Sequence, residues 1–458
     1  MLKTNSAIGI VVPLLSASLA LAPSNAAAQR ADSSLTNFER AIVRAVDTHN
    51  AQALALLERI VNINSGTMNF AGVRQVGDVL RTQLDALGFR TQWVDGASFN
   101  RAGHLVAVHP GSGPKILLIG HLDTVFEPRS PFQRFERLDD STARGPGIID
   151  MKGGDVIIVS ALRALKDVGE LENMNVTVVF DGDEEDAGLP LAEARRALTD
   201  AAKGARVAIG FEDGAGDPRT LVISRRGDIG WRLTSTGTPA HSSLVFSDRV
   251  GGGAIFETSR VLHQFYDKLS GEKYLTFNPG VAVGGTSAKL DTAGTVGSAD
   301  GKTNVVAARM EVSGDLRTLS PKQLAHAIEV MRDVVASSLP HTTSTITFED
   351  GYPPMAPTDG NRMLLSWYDR VSRDIGSGPV VAVDPSRAGA ADVSFVADQV
   401  PIIVDAAGLS GHDDHTDKET ADLRMLPVQT RRAAVLLSRL PRLLAAADSA
   451  AKAAAEKR

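Results

Sequence analysis

Hydrophobic residues recur with two different spacings along the first half of the chain. Helical spacing is seen over residues 36–62, 73–87 and 153–168, and each of these stretches predicts a helix with a buried face. Almost wholly apolar runs at 115–120 and 175–180 are typical of strands that are buried on both faces of a parallel sheet. Because helices and strands alternate, this half predicts an α/β fold with a mostly parallel sheet flanked by helices.

A second pattern begins near residue 225. The alternation of a half-exposed strand at 228–235 is followed by a helix at about 251–269, and further strands and a helix continue to about 340. This order predicts a smaller α+β sandwich inserted into the α/β domain. We assign 226–318 to the inserted domain, 31–225 and 319–445 to the surrounding α/β domain, and 446–458 to a tail that is a frayed helix or lacks fixed structure.

Three further expectations concern single elements. The pattern predicts one helix over 189–203, a strand over 304–316 and a helix over 391–397. The polar stretch 127–142 predicts a loop, and the sequence does not indicate its role.

The first 28 residues have the pattern of a secretory signal peptide. Lys3 precedes an apolar run at 8–21, and small residues of the A-x-A type follow at 26–28. We expect cleavage after Ala28 and an exported protein, periplasmic or secreted. A membrane anchor is the alternative, but the run is shorter than the ~20 residues that span a bilayer, and Pro13 interrupts it. No membrane contact is expected after cleavage.

Composition narrows the chemistry that the chain can carry. The 458 residues hold 48 Lys+Arg and 54 Asp+Glu, for a formal net charge of -6. This balance disfavours a nucleic-acid partner, because phosphates require a basic surface. The chain has no cysteine. Disulfides, thiolate metal sites and a cysteine nucleophile are therefore excluded, and any metal must be bound by His, Asp or Glu.

Acidic and imidazole side chains follow the predicted strands at the points where the strands end. Because ligands of open α/β sheets bind beyond the carboxyl ends of the strands, we expect these side chains to meet at one edge. Each residue alone also fits a structural role, such as a helix cap or a solvated loop, and only their joint placement favours a metal site. The residues are His121, Asp123, Asp150, Glu184, Glu185, Glu212 and His415.

Two histidines with several carboxylates and no cysteine are suited to a catalytic Zn²⁺ or a pair of such ions. Two ions ~3.5–4 Å apart need a bridging carboxylate, and a further carboxylate must stay off the metals to act as a base. Asp123 can accept the second ring N–H of His121 and thereby fix its tautomer.

Three segments carry a family resemblance: Gly120-His121-Leu122-Asp123, the stretch 144–154, and Asp183-Glu184-Glu185. They resemble the di-zinc exopeptidase family of glutamate carboxypeptidase, aminoacylase and succinyl-diaminopimelate desuccinylase, over about 40–440. The glutamate carboxypeptidase type is the most similar, since it shares the Arg-Gly-Pro-Gly turn. The resemblance implies a zinc-exopeptidase-like catalytic domain, with the inserted domain acting as a lid and dimerisation domain.

The resemblance implies two Zn²⁺ per chain and assigns their ligands. Asp150 would bridge the ions, His121 and Glu212 would bind one of them, and Glu185 and His415 would bind the other.

The remaining roles in the catalytic domain also follow from the resemblance. Glu184 would be the base that takes a proton from the bridging water, and Asp123 would orient the first histidine. Two of the ligands have competitors close by in sequence. Asp213 competes with Glu212, and His412 competes with His415.

The resemblance extends to the inserted domain. His241 matches a lid histidine that reaches the partner subunit's active site, and Asn304 and Arg317 match residues that bind the substrate carboxylate. Residues 389–392 resemble a Gly-rich loop near the substrate. A local ion pair with Asp315 is an equal alternative for Arg317.

These features together predict a zinc-dependent hydrolase that cleaves a peptide or amide bond adjacent to a free carboxylate, as a carboxypeptidase does. An N-acyl amino acid amidohydrolase is the alternative, and a catalytically inactive periplasmic binding protein is a remote one. The expected substrate is a small peptide or acyl-amino acid, and a homodimer is expected to form through the inserted domain.

Overall fold

The computed structural model describes residues 35–213 and 216–456, so the predicted signal peptide lies outside the described residues. The α-helices are α1 (Asn37–Val61), α2 (Phe70–Ala86), α3 (Gly153–Asp167), α4 (Leu191–Ala194), α5 (Arg196–Ala202), α6 (Gly253–Leu269), α7 (Pro321–Val335), α8 (Asp359–Asp374) and α9 (Met425–Ala455).

The strands are β1 (Arg90–Asp95), β2 (Gly103–His109), β3 (Lys115–His121), β4 (Glu136–Arg137), β5 (Thr142–Arg144), β6 (Asn175–Asp181), β7 (Val207–Gly210), β8 (Thr220–Leu221), β9 (Ile229–Gly237), β10 (Thr276–Gly285), β11 (Ser287–Leu290), β12 (Gly297–Asp300), β13 (Arg309–Arg317), β14 (Thr342–Phe348), β15 (Val381–Ala382), β16 (Ile403–Val404), β17 (Gly411–His412) and β18 (Thr420–Asp422).

The central sheet has six strands in the order β1-β2-β6-β3-β7-β16. Strands β6, β3, β7 and β16 are parallel neighbours. At one edge, β2 pairs antiparallel with β6, and β1 pairs antiparallel with β2. The predicted α/β fold with a mostly parallel sheet is therefore confirmed, as a mixed sheet.

Apolar residues of β3 explain why this sheet is covered on both faces. Ile116 and Leu118 belong to a core cluster shared with α1, α3 and α9. Leu117 and Ile119 point to the opposite face and join a second cluster with Leu198 of α5. Alternate side chains of a strand face opposite sides of the sheet, so a strand that is apolar throughout needs helices on both.

The inserted domain is a four-stranded antiparallel sheet in the order β10-β13-β9-β14, and α6 and α7 complete it. Trp231 and Phe265 are fully buried in its separate core. The predicted end of this domain at residue 318 is too early. Strand β14 pairs with β9 from Thr342 opposite Gly237 to Phe348 opposite Trp231, so α7 and β14 belong to the inserted domain.

Other predicted elements also differ from the structure. The helix expected over 189–203 is divided into α4 and α5 at Arg195, whose side chain turns inward to bind buried carboxylates. The strand expected over 304–316 begins only at Arg309, after a β11–β12 hairpin. Only a short 3-10 turn, Asp392–Val396, forms where a helix was expected over 391–397.

The C-terminal end of the described chain is helical. Helix α9 continues through the predicted tail to Ala455. Over residues 35–213 and 216–456, no helix has both the length and the apolar character needed to cross a membrane.

The polar stretch 127–142 supports a distant loop. Its end forms β4 and β5, which join β18 and β17 in a second small sheet of order β17-β18-β5-β4. Leu423 also donates its backbone N–H to the Ser141 carbonyl at 2.7 Å. The loop that carries His415 lies between β17 and β18, so the 127–142 stretch helps to fix its position.

Candidate metal centre

A cavity of about 480 Å³ opens beyond the carboxyl ends of β6 and β7. The turn around Asp150 and the loop between β17 and β18 complete its walls. Its lining includes Asp150, Glu184, Glu212 and His415. These four side chains come from four separate segments, as expected for the active edge of an α/β sheet.

The first group of donor atoms surrounds the end of β3. His121 is buried, and its Nε2 lies 3.1 Å from Asp150 Oδ1 and 3.5 Å from Glu212 Oε1. Possible ligand atoms of His121, Asp150 and Glu212 all lie within 4.8 Å of one another.

The second group uses the other oxygen of the same aspartate. His415 Nε2 lies 2.9 Å from Asp150 Oδ2 and 3.1 Å from Glu185 Oε2. Ligand atoms of Asp150, Glu185 and His415 again lie within 4.8 Å of one another. Asp150 thus presents one oxygen to each group, which is the arrangement that a bridging carboxylate requires.

The turn that carries Asp150 is held by a buried glutamate that sequence reasoning did not assign. Glu419 accepts backbone N–H bonds from Gly147 at 2.9 Å, Ile149 at 2.9 Å and Asp150 at 3.2 Å. Gly147 has φ +69°, a conformation that favours glycine. The sequence offered one signal, an acidic residue four positions after His415, but nothing in it showed which backbone groups it would bind.

The Asp123 carboxylate accepts hydrogen bonds from backbone N–H groups in addition to lying near His121. His121 Nδ1 is nearer to the Asp123 carbonyl oxygen, at 3.1 Å, than to the carboxylate, at 3.4 Å. The carboxylate accepts the N–H groups of Glu184 at 3.0 Å and Glu185 at 3.1 Å, and the Thr67 hydroxyl at 2.6 Å. Burial alone would raise the pKa of Asp123, but hydrogen bonds from His121 and Thr67 lower it below its ordinary value.

The Glu184 carboxylate belongs to neither donor group among the described residues, although it lines the cavity. Burial and the neighbouring Glu212 carboxylate raise its pKa well above the ordinary value. A carboxylate that faces the cavity beside two donor groups has the position that a general base requires.

The carboxylates of the site favour the binding of cations. Burial and the nearby Asp150 raise the pKa of Glu185 to about 7, and burial is also the main cause that raises the pKa of Glu212 to about 7. Glu185 Oε1 is buried without a hydrogen-bond partner. Imidazole and carboxylate donors around an excess of negative charge suit two divalent ions of the zinc class.

The sequence profile of peptidase family M20/M25/M40 matches residues 117–439. The chain belongs to this family. Carboxypeptidase G2 from Pseudomonas sp. (strain RS-16) is 25% identical over 406 residues, or 87% of this chain and 92% of that protein. Aminopeptidase PepT from Bacillus cereus has a TM-score of 0.68 at 17% identity, covering 85% of this chain and 98% of that chain. A dinuclear metal-binding M20 peptidase from Bacillus subtilis has a TM-score of 0.57 at 14% identity, covering 87% and 99%.

Membership of the M20 family makes the protein an enzyme, a metallopeptidase or amidohydrolase. The resemblance inferred from the sequence motifs is thereby confirmed. The M20 peptidase from Bacillus subtilis is a dinuclear metal-binding protein. This chain presents two groups of possible ligands of its own. The assignment of individual ligands stays a prediction that rests on their geometry.

The two competing ligands also line the cavity of this M20 enzyme. Asp213 and His412 both contact it, but neither belongs to a donor group among the described residues. Burial and Asp150 raise the pKa of Asp213 to about 8. The geometry therefore favours Glu212 and His415 over their neighbours.

The three residues assigned to the lid do not line the cavity. His241 is exposed and its Nδ1 lies 2.9 Å from Ser243 Oγ. Asn304 accepts the Ser242 N–H through its backbone carbonyl at 2.9 Å, which holds the His241 loop. Their roles stay predictions.

Arg317 is engaged elsewhere in this conformation. Its guanidinium pairs with Asp228 at 2.8 Å and with Asp315 at 2.9 Å, so the local ion pair that competed with carboxylate binding is the one observed. The arginines that do line the cavity are Arg225 and Arg387, which sequence reasoning did not single out.

Arg225 connects the cavity wall to the sheet. It pairs with the fully buried Asp405 at 2.6 Å and donates to the Gly389 carbonyl at 3.1 Å. Asp405 in turn accepts the Glu212 N–H at 3.4 Å. Gly389 lines the cavity, as expected from its resemblance to a loop near the substrate.

Proposed function

We propose that this M20 enzyme is a zinc-dependent hydrolase that cleaves a peptide or amide bond adjacent to a free carboxylate. One observation carries the proposal above the others: Asp150 divides its two oxygens between two donor groups, while the Glu184 carboxylate lies beside them in neither group. Similarity to carboxypeptidase G2 over most of both chains supports the carboxypeptidase class.

Each donor group would hold one Zn²⁺, with Asp150 shared between them. His121 and Glu212 would complete one site, and Glu185 and His415 would complete the other. When bound, zinc supplies Lewis acidity, which polarises a carbonyl and lowers the pKa of water.

Glu184 would move the proton in this mechanism. It would take a proton from the attacking water and return it to the leaving amine, which is the role of a general base and then acid. Asp123 supports this role because it fixes the backbone N–H groups of Glu184 and Glu185, so that the two neighbouring side chains point in different directions.

The substrate carboxylate needs a cationic partner near the donor groups. Arg225, which is paired with Asp405 at 2.6 Å, and Arg387 line the cavity and are the candidates for this role. An N-acyl amino acid also carries a free carboxylate, so an amidohydrolase remains the competing activity, and a substrate panel separates the two.

The protein would work as an exported homodimer. Export rests on the signal-peptide pattern of residues 1–28. Dimerisation would use the inserted domain, whose exposed His241 would then reach the partner's cavity. Exposed sheet edges at β10 and β14 also favour pairing or protection by another surface.

Two substitutions at adjacent positions test the assignment of base and ligand. Glu184→Gln keeps the size of the side chain, and we expect turnover to fall by ~10²–10⁴-fold with two zinc ions still bound. Glu185→Ala should instead lose metal first. Turnover is measured on dipeptides with C-terminal Glu, Ala or Leu, on folates and on N-acetyl amino acids, with and without added zinc.

Different results of this experiment contradict different parts of the proposal. Near-normal turnover by Glu184→Gln would refute the mechanism. Loss of metal from Glu184→Gln with metal retained in Glu185→Ala would reverse the two assignments. Hydrolysis of N-acetyl amino acids alone would replace the carboxypeptidase activity by the amidohydrolase activity.

A further inference from the structure

The two peptide groups on either side of the Glu184 Cα are hydrogen-bonded at both of their ends. On the N–H side, both bonds go to one carboxylate: Asp123 Oδ1 accepts the Glu184 N–H at 3.0 Å, and Asp123 Oδ2 accepts the Glu185 N–H at 3.1 Å.

On the carbonyl side, two buried or half-buried side chains donate to the same two peptide groups. Arg195 Nη2 donates to the Asp183 carbonyl at 3.1 Å, and the Tyr352 hydroxyl donates to the Glu184 carbonyl at 2.8 Å. Arg195 Nη2 also donates to the Tyr352 hydroxyl oxygen at 2.7 Å, so the hydroxyl has a fixed direction.

Arg195 itself is held by buried carboxylates. It pairs with Asp183 at 2.6 Å and with Asp392 at 2.9 Å, and its side chain is only 2% exposed. These ion pairs hold Arg195 in place. Tyr352, which Arg195 orients, is the side chain that donates to the peptide between Glu184 and Glu185.

Tyr352 comes from the chain segment that returns from the inserted domain to the catalytic domain. This segment pairs with the outgoing segment: Asp228 and Tyr352 exchange two backbone bonds of 2.9 Å, and Arg225 and Met355 do the same. Gly351 allows the close approach, because a Cβ there would lie 2.1 Å from the Asp228 carbonyl oxygen.

We propose that Tyr352 is a positioning residue for the base Glu184, and that it ties the loop of the base to the junction between the two domains. This inference rests on the proposed function, since it assigns Tyr352 an effect only through Glu184. Without the hydroxyl, the peptide that joins base and ligand would keep its N–H partner and lose its carbonyl partner. The carboxylate of Glu184 would then sample orientations away from the cavity.

Tyr352→Phe removes only the hydroxyl. We expect kcat to fall by about 10- to 100-fold, because a displacement of a reacting group by about 1 Å costs roughly a hundredfold. KM and the zinc content of the zinc-loaded enzyme should stay within about twofold of the unsubstituted protein. The matched control is Tyr368→Phe, whose buried hydroxyl lies 3.0 Å from Gln429 Oε1, outside the cavity lining. This control should retain its kcat.

A double-mutant cycle separates positioning of the base from other effects. In the Glu184→Gln background, Tyr352→Phe should cause no further loss of kcat. An equal loss in both backgrounds, a loss of zinc, or a kcat within twofold of the unsubstituted enzyme would each overturn the assignment of Tyr352 while leaving the proposed function standing. Near-normal turnover by Glu184→Gln alone would overturn both.

Discussion

Individual carboxylates in and around this site accept hydrogen bonds from backbone N–H groups of distant segments. Asp123 holds the loop of the base, and Glu419 holds the turn of the bridging aspartate. The possible metal ligands could be predicted from the sequence, because acidic and imidazole side chains follow the apolar runs that predict strands. Glu419 and Tyr352 were not predictable in this way, since their partners are backbone atoms that only the folded chain brings near.

The choice between the two histidines of the β17–β18 loop can be tested by single substitutions. His415→Ala should reduce the zinc content from two ions toward one, because His415 contributes to one donor group only. His412→Ala is the control and should retain both ions. Elemental analysis after dialysis measures both; the reverse pattern would assign the ligand to His412.

The backbone role of Glu419 gives a second prediction. Glu419→Gln replaces one accepting carboxylate oxygen by an NH2 group, which can only donate, so at least one N–H of the Asp150 turn loses its partner. We expect zinc affinity to fall by roughly 10–100-fold, as is typical for residues that support metal ligands. Competition with a chelator measures it. The control is Asp422→Asn, because Asp422 lies three residues further along the chain, at the end of β18, and pairs with Arg424 instead of the Asp150 turn. Unchanged affinity in Glu419→Gln would contradict the role.

Helices and strands with a regular spacing of apolar residues were predicted well. Elements whose ends depend on contacts with distant segments were not. Helices α1 and α3 and strands β3 and β6 lie where the apolar pattern placed them. The end of the inserted domain was misplaced because the pairing of β14 with β9 joins segments far apart in sequence. The division between α4 and α5 depends on ion pairs of Arg195 that a helical pattern does not reveal.

The paired segments at the domain junction depend on close backbone approach. Gly351→Ala would place a Cβ 2.1 Å from the Asp228 oxygen, so the two segments must separate. We expect a loss of about 1–3 kcal/mol in the free energy of unfolding, typical of overpacking. Gly271→Ala is the control, because no atom lies within 4 Å of its Cβ position. A urea midpoint that is equal in both variants would show that the close approach at Gly351 does not stabilise the junction.

The whole molecule carries an exposed apolar patch on the inserted domain. The patch consists of Leu244, Phe246, Ile255 and Phe256, of which Phe246 is 69% and Phe256 is 53% exposed. Leu244 and Phe246 of this patch follow His241 closely in sequence. Such patches commonly mark interfaces, which agrees with the proposed dimer and with a role of His241 in the partner's site.

Phe256→Asp should convert the proposed dimer to a monomer, because it places a charge in the apolar patch. Sedimentation equilibrium measures the mass, and activity should fall in parallel if His241 acts across the interface. Val381→Asp is the control, since Val381 is 58% exposed on the other domain. A dimer that survives Phe256→Asp would move the interface away from this patch, and a fully active monomer would remove His241 from catalysis.

Anomalous diffraction from zinc-loaded crystals would show whether Asp150 joins two metal sites. We predict two zinc peaks ~3.5–4 Å apart, one bound by His121 and Glu212 and the other by Glu185 and His415. Each peak should contact a different oxygen of Asp150. A single peak, or two peaks that do not share Asp150, would refute the shared carboxylate.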